Sequence, residues 1–192
     1  MTSDSPEGAQ VETHGRRTAP GEMRPRIFYM IVAVVLIADQ LSKAWVQRTL
    51  AYEESRDVIG KAFTLTLTHN TGGAWGLLPQ GNPIFIIFAA VAAVVLLVAY
   101  HRVARTDAMV GGAFALALGG AFGNLLDRVR YGYVVDFFDA RIIRWPIFNI
   151  ADSAISVSIV LLLLHFVRSA RSESTHSEAP EAAERASVSS ES

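Results

Sequence analysis

The sequence contains no cysteine, and that absence closes several routes at once. It excludes a disulfide framework, a thiol nucleophile and a cysteine-ligated metal. The five histidines are scattered, with neither HExxH nor His-x-His spacing to suggest a metal site. Charge is scarce as well. Asp, Glu, Lys and Arg make up 18% of the 192 residues, and a net charge of -1 suggests neither nucleic acid nor an acidic partner. What remains is apolar: 51% of residues are hydrophobic, mean hydropathy is +0.31, and the apolar residues come in blocks. A chain this apolar is not a typical soluble domain.

Four of those blocks are long enough to cross a bilayer, at about 27–46, 83–100, 108–126 and 151–167. The first is preceded by Arg16, Arg17, Arg24 and Arg26 and holds Ser42-Lys43-Ala44, so a cleaved signal peptide is one reading. Three further membrane-length blocks make a first span the simpler account. Pro83 suits the start of the second helix, which carries no charge. In the third, Gly111, Ala115, Gly119 and Gly123 form an i, i+4 column that lets helix backbones approach closely. The polar ends, 1–26 and 168–192, lack apolar period and are expected to be disordered tails around a 27–167 membrane domain.

Four spans put both termini on one face. The positive-inside rule prefers that face to be cytoplasmic, by a thin margin. Arg16, Arg17, Arg24, Arg26, Arg102, Arg105, Arg168 and Arg171 lie inside, against Arg48, Arg56, Lys61, Arg128, Arg130, Arg141 and Arg144 outside. Of the remaining chain, Leu50–Gly60 is charged and mixed and reads as an extramembrane loop. Ala62–His69 alternates Phe63, Leu65, Leu67 with Thr64, Thr66, Thr68, which argues a β-strand. It needs partners, and Tyr131–Phe138 can supply one. Asn70-Thr71-Gly72-Gly73-Ala74-Trp75-Gly76 is glycine-dense: either a plain turn, or one that holds Asn70 against a substrate peptide. A second turn signal, Leu78–Asn82, precedes Pro83.

Ionisable residues at the margins of these spans are expensive and by default functional. Asp39 and Lys43 lie four apart and share a face, either as a snorkelling lysine with its counter-ion or as a pair turned to the interior. Asn124 and Arg128 share another face. Arg128 either holds a lipid head group or pairs with Asp127 or Asp39. Asp136 stands among Val134, Val135, Phe137 and Phe138. Asn149 suits an N-cap, and Asp152 falls in the first turn of the last helix, where the dipole favours a carboxylate whatever its role. Asp136 and Asp152 are the candidate catalytic pair. Tyr131, Tyr133 and Trp145 suit the membrane–water interface.

Rival readings use the same residues. A channel would distribute Asp39, Asp136 and Asp152 through the membrane depth, whereas the sequence clusters them at one side. A serine protease would need a base for Ser153, but His165 lies about three turns along the same helix. A metal-dependent lipid transferase would gather Asp127, Asp136, Asp139 and Asp152.

Taken together, five blocks resemble the signature of lipoprotein signal peptidases, the bacterial signal peptidase II family. They are Asp39-Gln40 with Lys43, Asn70-Thr71-Gly72, Gly119–Asn124 with Asp127-Arg128, Val134–Phe137, and Phe148–Ser153, in the family's order across 27–167. Gly73 and Gly76 stand where the family more often has other small residues. The resemblance implies a mainly α membrane protein, four transmembrane helices with a small extracytoplasmic β-cradle. It implies an aspartic endopeptidase of the cell (inner) membrane, with both termini cytoplasmic. Its substrates would be diacylglyceryl-modified prolipoproteins, cut just before the lipidated cysteine, with membrane lipid as surroundings and no nucleic acid. The catalytic aspartates map onto Asp136 and Asp152, and the supporting positions onto Asp39, Lys43, Asn70, Gly72, Asn124, Arg128 and Asn149. The chemistry asks for no metal or other cofactor, and nothing in the sequence demands more than a monomer.

Overall fold

Proline decides where the first two helices begin, because its missing N–H is one that a helix start leaves without a partner anyway. The computed structural model describes residues 21–72, 82–102 and 104–189, without the side chains of 82 and 172–189. In it Pro25 opens α1 (Pro25–Thr49), and Pro83 lies in the first turn of α2 (Asn82–Arg102). Asp107 caps α3 (Ala108–Tyr131), its carboxylate accepting from the N–H groups of Met109 and Val110 at 2.8 and 2.9 Å. Gly132 ends α3 at φ +81°, a left-handed conformation that costs glycine little. The last helix, α4, runs Ile150–Ser189. By length and composition, Pro25–Thr49, Pro83–Arg102, Ala108–Tyr131 and Ile150–Arg171 can each cross a membrane.

The helices are apolar outside and partly polar inside. Along α1, Met30, Val34, Ile37, Leu41 and Trp45 are exposed, while Phe28, Val32, Val35, Asp39, Lys43 and Val46 are buried at helical spacing. α3 is the central helix and packs on the other three. Its glycines permit this. A Cβ at Gly119 would stand 2.8 Å from Val35 Cβ, and one at Gly120 2.5 Å from the Ala151 carbonyl oxygen. Gly119 belongs to the small-residue column and Gly120 does not, so two faces of α3 accept neighbours closely.

Three strands, β1 (Ser55–Ile59), β2 (Phe63–Asn70) and β3 (Val134–Asp139), form one antiparallel sheet in the order β1-β2-β3. The β2 alternation places Leu67 with Val135, Phe137 and, from the end of α1, Val46 and Leu50 in one apolar cluster. The threonines take the other face, where Thr64 and Thr66 donate to Asp139 at 3.2 and 2.9 Å. In register, Thr68 faces Asp136 and Asn70 faces Val134. The open edge of β3 is partly covered by Phe148, which exchanges two main-chain hydrogen bonds with Phe138 at 2.7 and 3.0 Å.

The structure differs from the sequence reading in three places. β1 lies inside the stretch read as a loop; all five of its residues are exposed, so it carries no alternation to detect. At the start, the tail boundary at 26 is too late. Met23 is buried against Phe28, Tyr100 and Ala104, and its N–H bonds the Arg105 carbonyl at 2.9 Å. At the end, helical backbone continues to Ser189 where a disordered tail is expected from 168. Alanine and glutamate, both strong helix formers, recur in that stretch. The expected disorder of 1–20 and the turns over 73–81 lie outside the described residues.

Candidate active site

At one end of the bundle, the C-terminal halves of α1 and α3, the ends of β2 and β3, and the start of α4 come together. The pleat sends Val135 and Phe137 into the apolar cluster and so turns Asp136 the other way. There its carboxylate is 1% exposed and takes two amide donors, Asn70 Nδ2 at 2.9 Å and Asn149 Nδ2 at 2.6 Å. The Gly72 N–H donates to Asn70 Oδ1 at 3.1 Å, which leaves the Asn70 NH2 for Asp136. Burial first, and then the neighbouring Asp152 charge, push Asp136 up to about 7 against the opposing pull of those amides.

Asp152 is held by a reciprocal cap. Asn149 Oδ1 accepts from the Asp152 N–H at 2.9 Å, and Asp152 Oδ2 accepts from the Asn149 N–H at 3.2 Å. Its other oxygen accepts from Asn124 Nδ2 at 2.7 Å. Asn124 Oδ1 in turn accepts from Asn149 Nδ2 and from Lys43 Nζ, each at 3.1 Å. Both aspartates line one cavity of about 280 Å3, with Asn70, Asn124, Arg128 and Trp145 among its walls. A more apolar hollow of about 460 Å3, walled by Ile143, Phe148 and Val157, also reaches Asp152 and Trp145.

Lys43 does not snorkel. It is 2% exposed and lies 2.8 Å from Asp39 and 2.9 Å from Asp127, both buried. Gln40 joins them, donating to Asp127 at 2.9 Å. With Asp39 and Asp127 on the lysine, Arg128 turns to the cavity, over the Phe85 ring at 5.1 Å. Every residue named above as catalytic or supporting therefore lies in this one region. The sequence reading underrates Asp127. Its signal is the spacing from Asn124 and Arg128, which puts three polar side chains on one side of a mostly apolar helix.

The rival constellations do not assemble. Asp139 is bound to Arg141 at 2.8 Å and Asp127 to Lys43, so no four-carboxylate group forms. Ser153 Oγ bonds the Asn149 carbonyl at 2.9 Å, and His165 faces Asp107 at 3.5 Å.

A family model described as signal peptidase (SPase) II matches residues 31–168. The chain belongs to the signal peptidase II family. Lipoprotein signal peptidases of Moorella thermoacetica and Syntrophotalea carbinolica are similar to it, at 43% identity over 70% of this chain and 44% over 72%. In both alignments 89% of the relative is covered. A solved structure titled as a bacterial membrane enzyme by the in meso method at 2.3 Å resolution is similar in fold, with TM-score 0.73 and 31% identity. The match covers 77% of this chain and 92% of that one. Membership makes this chain a multi-pass membrane peptidase that removes signal peptides from prolipoproteins.

Proposed function

We propose that Asp136 and Asp152 are the catalytic dyad, and that the substrate is a diacylglyceryl-modified prolipoprotein cut just before its lipidated cysteine. The observation that carries this reading is that both carboxylates line one cavity while burial and the neighbouring charge hold Asp136 near 7. Two close carboxylates cannot both ionise cheaply, so they share a proton. With that proton on Asp136, ionised Asp152 draws a proton from water, the water attacks the scissile carbonyl, and Asp136 donates to the carbonyl oxygen. The resulting diol then collapses, Asp152 giving its proton to the leaving amine nitrogen as the C–N bond breaks and Asp136 taking one back from a diol hydroxyl. Asn70 and Asn124 then orient the two acids, and Arg128 sets the charge of the cavity wall.

The adjoining apolar hollow by Ile143 and Phe148 suits acyl chains, since its walls are mostly apolar and include Ile143, Trp145 and Val157, which are exposed. On this reading the cavity end of the bundle is extracytoplasmic, in the bacterial cell membrane, with the start of α1 and the end of α4 cytoplasmic. The test is incubation of the purified protein with a diacylated prolipoprotein and its unlipidated twin. Cleavage only of the lipidated form, at the peptide bond immediately before the cysteine, is expected; equal cleavage of both would remove lipid recognition from the reading.

A further inference from the structure

Asp39 and Asp127 each hold the main-chain N–H of the residue that directly precedes one aspartate of the dyad. Asp39 Oδ1 accepts from the Ala151 N–H at 3.0 Å, one residue before Asp152. Asp127 Oδ2 accepts from the Val135 N–H at 3.1 Å, one residue before Asp136. Lys43 Nζ bridges the two carboxylates at 2.8 and 2.9 Å. The same ammonium reaches Asn124 Oδ1, whose amide nitrogen donates to Asp152. α1 touches neither aspartate of the dyad through these bonds, yet it ties the strand that carries one to the helix that carries the other.

We infer that Lys43, with Asp39 and Asp127 as its two arms, is a positioning residue that fixes the separation and aim of Asp136 and Asp152. A buried ion triad is a poor device for stability alone, because desolvation offsets most of the attraction between its charges. It is a good device for geometry. Its groups are fully enclosed, and every carboxylate oxygen is engaged, by Lys43, by Gln40 or by a main-chain N–H, so each arm is held in one place. Gly123 belongs to the same device: a Cβ there would stand 2.5 Å from Asp39 Oδ2 and 3.3 Å from Ala151 Cβ. Only a residue without a side chain lets the Asp39 carboxylate reach between α3 and α4 to the Ala151 amide.

The inference rests on the dyad reading above, and the test separates the two. Steady-state kinetics on a diacylated prolipoprotein, per folded molecule as judged by thermal melting in detergent, would be run for four variants. Asp136→Asn and Asp152→Asn test the dyad alone. Lys43→Met unties the arms, and Gly123→Ala displaces Asp39 with every charge left in place. A displacement on the order of 1 Å costs about 100-fold in rate. Both positioning variants are therefore expected to lose about that factor in kcat with KM changed less than about twofold. If Lys43→Met fails to accumulate, Lys43→Met/Asp39→Asn/Asp127→Asn leaves no unpaired buried charge and carries the same readout. Inactive dyad variants beside a wild-type kcat in Lys43→Met or the triple variant, or in Gly123→Ala, would overturn the positioning role. So would a loss that follows only the folded fraction. Active dyad variants would instead overturn the reading beneath it.

Discussion

Asn149 and Asp152 cap one another, each side chain accepting the other's main-chain N–H, and Asp152 of this reciprocal pair lines the cavity. The carboxylate that closes α4 is therefore the one proposed to act on water. Asparagine serves as well as aspartate in accepting an amide N–H at a helix start. Asp152→Asn should thus keep its melting temperature within a few degrees while losing cleavage. Asp136→Asn should do the same. General acid–base groups contribute about 100- to 10,000-fold each, and losses in that range are expected from both. Quantitative cleavage of a lipidated substrate by either folded variant would sink the dyad.

The rate should follow a bell in pH. On its alkaline side the shared proton leaves Asp136, which burial and Asp152 hold near 7 rather than at the ordinary 3.8. Stability carries the matching sign. Folded Asp136 keeps a proton that the unfolded chain releases above 3.8, so its contribution is full below that pH and is lost as pH rises through about 7. Asp136→Asn should flatten that part of the melting-temperature profile. A kcat that stays level until the protein unfolds at alkaline pH would argue against a shared proton.

Asn70 gives a signed refinement. Its amide favours the ionised form of Asp136 and pulls that group downward. Asn70→Ala should therefore move the alkaline limb to higher pH, besides lowering kcat. A limb that moves down, or stays in place with kcat reduced, would assign it to another group.

Inhibitor behaviour follows from composition and from where the acids are engaged. The chain has no cysteine, and Asp127 and Asp139 are bound to Lys43 and Arg141. EDTA and thiol reagents should leave the rate unchanged. Loss of activity under EDTA that a divalent cation restores would contradict the proposed chemistry.

How much of this was legible in the sequence depends on whether a feature has a period. The four spans and β2 are periodic or continuous in hydropathy, and their positions follow from that alone. β1 is an exposed edge strand with nothing buried to imprint a pattern. Asp39, Asn70, Asn124, Asp136, Asn149 and Asp152 stood out because polar groups beside apolar runs are costly and few. What no sequence pattern conveys is which polar group meets which. Asp127 looked like a neighbour for Arg128, yet it faces Lys43 because α1 packs on that side of α3. Met23 looked like tail, since a single apolar residue among polar ones has no periodicity; only the Tyr100–Phe28 stack it covers makes it core.

β2 precedes α2 and β3 follows α3, so the sheet joins segments separated by two crossings of the bilayer. During synthesis, β2 must wait without its β3 neighbour until the third helix has been inserted, and Asp152 arrives only with the fourth. On the dyad proposed above, a growing chain therefore holds no cleaving centre until the start of α4 has joined the sheet and the first three helices.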